Sequence, residues 1–233
     1  MEHETANLIK TISVMALPVI FAVVLHEVAH GYMASLKGDN TARLMGRLTL
    51  NPLAHIDWFG TILLPIMFYV STGFLFAYAK PVPVNFNNLK NPRKDMALVA
   101  AAGPFTNILL ATISAILFKM CIWLSPESAM ELFSQGAGMS DNVTSAFITP
   151  IIMMLYFSVM LNVVLAVINL IPIPPADGGR IATGLLSKER AEAYSKIEPY
   201  GMIILVIILV INPLGIIDWT IRPLINMILS VLL

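Results

Sequence analysis

Leu25-His26-Glu27-Val28-Ala29-His30-Gly31 is the stretch around which the rest of this sequence is organised. If it is helical, His26 and His30 lie four residues apart on one face, where both imidazoles can reach a single Zn²⁺ at about 2.0–2.1 Å. Glu27 stands beside the first histidine and can take a proton from a water bound to that metal. The alternative is that two interfacial histidines fall at this spacing by chance.

The residues before this stretch are almost wholly apolar, from Leu8 to Leu25. About 20 apolar residues span a bilayer, so Leu8–Leu36 is long enough to cross as one helix. The H-E-x-x-H pattern therefore lies inside the hydrocarbon or at its edge, where ionisable groups are costly and are presumed to have a function. A bound divalent cation would give Glu27 a partner and keep both imidazoles neutral. We therefore expect a metal site within a membrane.

The composition agrees with a membrane setting. Hydrophobic residues make up 58% of the chain and charged residues 12%, with a mean hydropathy of +0.81, against about 45–50% and 25% in soluble proteins. The net charge of zero gives no reason to expect nucleic acid as a partner. The single cysteine, Cys121, excludes intrachain disulfides and a cysteine-rich zinc site. We expect one integral membrane domain over residues 1–233, with the lipid bilayer as its surroundings.

The apolar runs predict an all-α polytopic membrane protein with about five to six transmembrane helices. The predicted core helices are 8–36, 95–124 and 143–171. Thr61–Tyr78 is at the lower limit for a span and is interrupted, so it is predicted to be a short span or a re-entrant segment. Short C-terminal membrane helices are predicted over about 200–233, broken at Asn212–Gly215.

Short β-strands are also predicted near the motif. Arg43–Leu50 alternates loosely between polar and apolar residues, and Lys80–Asn85 contains two prolines, which are tolerated in edge strands. His55 and Asp57 precede the next apolar run, where they are either contacts to substrate or interfacial polar residues without a chemical role. Within 95–124, Asn107 could hydrogen-bond across a helix contact or serve the active site, and both interpretations stay open.

A zinc site with two histidines needs a third protein ligand and an open position for water. No glutamate occurs between Glu27 and Glu127, so a nearby downstream glutamate is absent. Of the six aspartates, Asp177 alone sits at the end of a membrane helix among Pro and Gly, in the stretch Asn169–Arg180. Such non-helical backbone is tolerated at membrane depth where it lines a cavity or is buried in protein. The alternative is that the prolines end the helix and Asp177 caps the next one.

With these motifs in place, the chain resembles the site-2 proteases, intramembrane zinc metalloproteases of peptidase family M50. His26–His30 resembles the zinc-binding helix, Gly103–Asn107 the family's G-x-x-x-N, and Asn169–Gly178 its N-x-x-P-x-P-x-x-D-G. Further matches over 46–57 and 81–85 resemble the short bacterial and archaeal type that lacks a PDZ domain. The sequence departs from the family at Ala176, where leucine usually precedes Asp-Gly.

The resemblance implies one Zn²⁺ per chain, with His26, His30 and Asp177 as ligands and Glu27 as general base and acid. The substrates would be transmembrane segments of other proteins, cut after local unwinding. The resemblance and the possibility of strand addition imply a set of substrate-binding residues. These are Asn107, Asn169, Pro81, Val82, Pro83, Val84 and Asn85, and Arg43–Leu50 is a second candidate edge.

The distribution of charge predicts the topology. The loops 37–47, 80–94 and 180–196 are basic, whereas 125–142 carries acidic residues and no Lys or Arg. The positive-inside rule then places the metal site towards the cytoplasmic side of the cell (inner) membrane. Thr61–Tyr78 must start and finish on that side, which favours a re-entrant hairpin turning near Gly73. Two alternatives to a protease are a membrane metal-binding or transport protein and an inactive homologue that binds membrane helices without cutting them.

Overall fold

A computed structural model describes residues 2–63, 67, 79–127 and 143–233 of the chain. Its structure is predominantly helical. In chain order, the α-helices with described bounds are α1 (Glu2–Leu36), α2 (Thr41–Leu44), α3 (Pro92–Leu124), α4 (Val143–Asn169), α5 (Asp177–Leu185), α6 (Lys188–Ser195), α7 (Glu198–Val206) and α8 (Arg222–Leu232). The predicted core segments 8–36, 95–124 and 143–171 correspond to α1, α3 and α4.

Three helices in the described part of the chain are long and apolar enough to cross a membrane, over Ser13–Leu36, Pro92–Leu124 and Phe147–Asn169. A fourth crossing is possible if α6 and the segment Glu198–Ile211, which meet at a bend of 59°, count as one span. The predicted number of five to six spans is therefore not confirmed, because the C-terminal apolar segments form short or bent helices. The predicted re-entrant turn near Gly73 lies outside the described residues.

The helices α1, α3 and α4 pack together into the core that carries the motif. Small side chains such as Ala22, Ala34 and Ala111 are fully buried and let the helix backbones approach closely. Val159 and Val163 of α4 are also fully buried. The apolar face of α8 packs against the part of this core that contains Ala111 and Val163. The bundle therefore brings α1, α3 and α4 together at the depth of the histidine motif.

The predicted strand at Arg43–Leu50 is wrong. Its first two residues end α2, Gly46 has a left-handed φ of +65°, and the amide of Arg47 donates to Ala42 O at 2.9 Å. The backbone bonds of this segment are thus made locally. The side chain of Asp39 accepts from the amide and hydroxyl of Thr41 and so helps to start α2 in place of a strand. Loose alternation alone did not distinguish this turn from a strand.

The predicted edge strand at Lys80–Asn85 is extended, but it has no strand partner among the described residues. We call Lys80–Asn85 the strap. Prolines 81 and 83 have no backbone N–H, and amides of the strap donate outside any ladder. Lys80 N donates to His55 O, Val82 N to the Glu27 carboxylate and Asn85 N to the Asp39 carboxylate. The strap is therefore a lone extended segment held by its neighbours.

An irregular loop over residues 170–176 separates α4 from α5, as the prolines predict. Asp177 is the first residue of α5 and Ala176 is its N-cap, without a side-chain cap bond, so the capping alternative for Asp177 is wrong. The loop is fixed from the C-terminal side, because the Tyr194 hydroxyl donates to Pro172 O. Gly201 of α7 lies so close to Pro174 O that a Cβ would overlap this oxygen.

Candidate metal centre and active site

Two histidines of α1 lie one turn apart in the centre of the bundle, and both are buried. His26 Nδ1 is 2.5 Å from the side-chain oxygen of Asn107, and His30 Nδ1 is 2.7 Å from Val99 O. Because both oxygens only accept hydrogen bonds, we assign the ring proton to Nδ1 in each case. The two neutral rings then carry their lone pairs on Nε2, and these atoms are 3.0 Å apart.

Asp177 brings a carboxylate to the same point from α5. Its Oδ2 is 3.2 Å from His26 Nε2 and 3.3 Å from His30 Nε2, and the residue is 5% exposed. No hydrogen-bond donor in the described part of the chain satisfies this oxygen. Three atoms with lone pairs thus face one another away from water, and a cation between them would compensate this unfavourable arrangement.

The geometry of these three atoms fits zinc. A tetrahedral site with metal–ligand distances of about 2.0–2.1 Å holds its ligand atoms about 3.3 Å apart. The separations among His26, His30 and Asp177 are 3.0, 3.2 and 3.3 Å. Two histidines and one carboxylate also leave a fourth position open, which is typical of catalytic zinc. The residues present therefore fit a single zinc ion.

Gly103 of α3 provides the space beside the histidines. A Cβ at this position would lie 2.5 Å from His30 Nε2 and 2.6 Å from His26 Cε1. Any larger residue would therefore move the imidazoles from the positions at which they meet Asp177. Gly103, the first residue of the G-x-x-x-N stretch, therefore packs against the candidate ligands themselves.

Glu27 lies beside the three candidate ligands and lines the same cavity. One of its carboxylate oxygens, Oε2, accepts the Val82 amide at 2.8 Å. This bond fixes the carboxylate against the strap and leaves Oε1 to exchange a proton. The arrangement places a partly buried carboxylate next to a metal site, which is the relation that general acid–base catalysis on a metal-bound water requires.

The cavity has a volume of about 510 Å³ and combines the polar centre with apolar walls. Pro81, Val82 and Val84 of the strap line it, as does Asn169 at the end of α4. The side-chain nitrogen of Asn169 donates to Leu165 O at 3.0 Å on its own helix. Further lining residues include Phe86, Leu165, Ile168, Pro175, Arg180 and Leu205.

The other predicted substrate-binding residues lie outside this lining. Pro83 is not among the residues of the cavity wall, and Asn85 is exposed, with its side chain accepting from the amide of Asn87. Asn107 is fully buried, and its amide contacts His26 and neighbouring helices. His55 is buried at the base of the strap, where its Nε2 lies 3.0 Å from Thr49 O.

Asn162 of α4 is a residue whose position the sequence analysis missed. It is 1% exposed, and its Oδ1 accepts from Asn107 Nδ2 at 2.8 Å. Its own Nδ2 donates to Ser158 O at 2.8 Å. A chain of hydrogen bonds therefore runs from His26 through Asn107 to Asn162 and fixes the orientation of the histidine ring. The available signal was a lone amide in an apolar helix, two turns before Asn169.

The sequence matches the family model of Peptidase family M50 over residues 14–212. "Putative zinc metalloprotease YwhC" of Bacillus subtilis (strain 168) is 35% identical over 212 residues, which cover 91% of this chain and 85% of YwhC. "Putative zinc metalloprotease Rip2" of Mycolicibacterium smegmatis is 26% identical over 191 residues, which cover 82% of this chain and 64% of Rip2. No solved structure matches the chain at a significant level.

Substitution of Gly103 by alanine should abolish zinc binding, because the added Cβ displaces both imidazoles. Gly184→Ala is the matched control, since its Cβ would lie 2.6 Å from Arg93 O but contacts no histidine. We expect less than one tenth of the wild-type zinc content in Gly103→Ala and the full content in the folded fraction of Gly184→Ala, measured by elemental analysis. Equal zinc in Gly103→Ala and wild type would contradict this role.

Substitution of Asn107 by alanine should weaken zinc binding about 10–100-fold, as expected when a partner that orients a ligand is lost. Ser114→Ala removes a buried hydroxyl from the same helix that contacts Ser158 and not His26. Competition with a chelator would measure both affinities. An affinity in Asn107→Ala that equals that of Ser114→Ala would show that the bond to His26 does not orient the ring.

Proposed function

This chain belongs to peptidase family M50 and is a zinc metalloprotease, and from this premise we propose that it hydrolyses peptide bonds within or near the transmembrane segments of other membrane proteins. The observation that carries the proposal is the position of the polar centre. His26, Glu27 and His30 lie within the candidate span Ser13–Leu36, and the cavity that they share with Asp177 has apolar walls. A protease with its catalytic groups at this depth acts on polypeptide that is itself in the membrane.

We assign zinc to His26, His30 and Asp177. Bound there, the ion would polarise the scissile carbonyl and lower the pKa of a bound water towards about 7. Glu27 is the group that takes the proton of the water and delivers it to the departing amine, through Oε1. Its other oxygen stays with the Val82 amide, which keeps the carboxylate facing the cavity. Asn107 and Asn162 hold His26 in the orientation that ligation requires.

The substrate must lose its helical structure before it is cut. The carbonyls of an intact transmembrane helix are engaged in hydrogen bonds within the helix, and freed backbone groups need new partners in a water-poor site. The extended strap can supply acceptors by β-augmentation through its carbonyls, since the amides of Lys80, Val82 and Asn85 are bound elsewhere. Pro81, Val82 and Val84 line the cavity and would contact substrate side chains. Pro83 and Asn85 contribute to the backbone of the same edge, and Asn169 borders the place where the unwound segment would lie.

The charged loops support a location in the cell (inner) membrane with the active site towards the cytoplasm. Lys37 at the end of α1 lies 3.7 Å from Asp95 at the start of α3, so these helix ends share one side. The contact of Asp177 with His30 brings the end of α4 to that side as well. The basic residues of 37–47, 80–94 and 180–196 are then on the side that the positive-inside rule assigns to the cytoplasm.

The direct test compares wild type, Glu27→Gln and Glu127→Gln in zinc content and in cleavage of a panel of model transmembrane substrates in liposomes. We expect about one zinc in each protein, and a rate about 10²–10⁴-fold lower for Glu27→Gln alone, because the proton acceptor is lost. Glu127 follows the far end of α3 and serves as the control. Absence of zinc from all three proteins would refute the metal site. Zinc without cleavage of any substrate would favour a metal-binding protein or an inactive homologue.

The orientation can be tested by labelling single cysteines in a Cys121→Ser background. Met45 is 61% exposed beyond α1, and Glu127 lies beyond the opposite end of α3. We expect Met45→Cys to react with an impermeant maleimide in inside-out vesicles and Glu127→Cys in intact, right-side-out cells. The reverse pattern would place the active site on the outer face.

A further inference from the structure

The strap is fixed at both ends and in its middle by groups of other elements. At its start, Lys80 N donates to His55 O at 2.9 Å, and Arg47 Nη2 donates to Lys80 O at 3.0 Å. In its middle, Val82 N donates to Glu27 Oε2 at 2.8 Å. At its end, Asn85 N donates to Asp39 Oδ2 at 2.7 Å. Two of these contacts are to carboxylates, and one of the two carboxylates is the proposed catalytic base.

Asp39 is fully buried, with an exposure of 0%, and each of its oxygens is used. Oδ1 accepts from Thr41 N at 3.1 Å, from Thr41 Oγ1 at 2.5 Å and from Asn88 Nδ2 at 3.0 Å, while Oδ2 accepts from the strap. Burial alone would raise the pKa of this carboxyl, but the hydrogen bonds from Thr41, Asn88 and Asn85 hold its pKa below the usual range. Asp39 is therefore an ionised acceptor, and a buried ion of this kind is costly unless every bond is made.

The place of Asp39 connects it mechanically to Glu27. The amide of Asp39 donates to Ala34 O at 2.9 Å, so the residue is attached to the last turn of α1, the helix that carries Glu27. Between them the strap lies directly on α1, since a Cβ at Gly31 would be 2.7 Å from Val82 Cγ1. One carboxylate thus stands on α1 and the other in the turn attached to its end, and the strap runs from one to the other.

We propose that Asp39 is a positioning residue for catalysis, which holds the strap at the register where the Val82 amide fixes the Glu27 carboxylate. The inference rests on the proposed role of Glu27 as the base. Asp39 contacts neither the candidate metal ligands nor the cavity, and it acts through Asn85 and Val82. If the hydrogen bond from Asn85 N to Asp39 is lost, the strap can slide along α1. The Glu27 carboxylate then loses the Val82 amide as a fixed donor.

Comparison with Asp95 distinguishes a positioning role of Asp39 from a purely structural one. Asp95 is also buried, at 4% exposure, and accepts a backbone amide, that of Asn91, at 2.7 Å. It lies at the same end of the bundle, where it pairs with Lys37, but it makes no bond to the strap. Asp39→Asn and Asp95→Asn therefore each remove a buried carboxylate that accepts a backbone amide, and only Asp39→Asn removes an acceptor of the strap.

The experiment uses the full-length protein in liposomes and has two readouts. The first is hydrogen exchange of the strap amides by mass spectrometry, which needs no activity. We expect peptides covering 80–88 to exchange about 10-fold faster in Asp39→Asn and at the wild-type rate in Asp95→Asn. The second is cleavage of a model transmembrane substrate. We expect kcat to fall about 10-fold in Asp39→Asn, the effect of losing a hydrogen bond to a charged group, with the zinc content within twofold of wild type.

A double-mutant cycle then identifies the route of the effect. Val82→Pro removes the amide that binds Glu27, whereas Val82→Ala keeps it. If Asp39 acts through this amide, Asp39→Asn lowers kcat in the Val82→Ala background and causes no further loss in the Val82→Pro background. Independent, additive losses would overturn the proposal, and so would unchanged strap exchange in Asp39→Asn. A Glu27→Gln enzyme that cuts as fast as wild type would instead refute the proposed role of Glu27.

Discussion

The close approach of the Asp177 carboxylate to the two histidines of α1 is the contact on which the rest of this structure depends. Three atoms with lone pairs lie 3.0–3.3 Å apart inside an apolar bundle. These atoms are largely withdrawn from bulk water, so the arrangement depends on a cation and on the placement of each group. Gly103 leaves room for the two imidazoles, and the proline-rich loop before α5 brings Asp177 to them.

The buried polar groups around the two histidines form one hydrogen-bonded network. Each histidine uses Nδ1 for a protein acceptor and keeps Nε2 for the proposed metal position. Asn107 is itself hydrogen-bonded to Asn162, so residues of α1, α3 and α4 all contribute to the orientation of the His26 ring. An unpaired buried amide destabilises the fold, whereas a fully paired network favours one particular packing of the helices. The network thus fixes the relative rotation of α1, α3 and α4 as well as the histidine.

Much of the candidate site could be predicted from the sequence because its signals are local. The spacing of His26 and His30 follows from the pitch of a helix, and Asp177 stands out as the one aspartate among prolines and glycines at a helix end. The apolar runs of α1, α3 and α4 likewise predicted membrane-spanning helices. These inferences needed no knowledge of which segments meet in space, apart from the assumption that three ligands share one metal.

The features that could not be predicted depend on contacts between distant parts of the chain. The strap was interpreted as an edge strand, yet its amides are bound by the side chains of Glu27 and Asp39, 55 and 46 residues away. For Arg43–Leu50 the visible alternation predicts a strand, whereas the bonds from Asp39 that start α2 join residues whose contact the sequence does not show. Asn162 was overlooked for a similar reason, since its partner Asn107 lies on another helix.

The contact between Gly201 and Pro174 has a consequence for how the enzyme can open. The two are packed without space for a methyl group, and the neighbouring α6 is tied to Pro172 through the hydroxyl of Tyr194. Both α6 and α7 are therefore in direct contact with the loop that presents Asp177. A sideways displacement of α7 would therefore disturb the loop that holds the aspartate beside the histidines. The position of α7 and the integrity of the proposed metal centre are in this way mechanically linked.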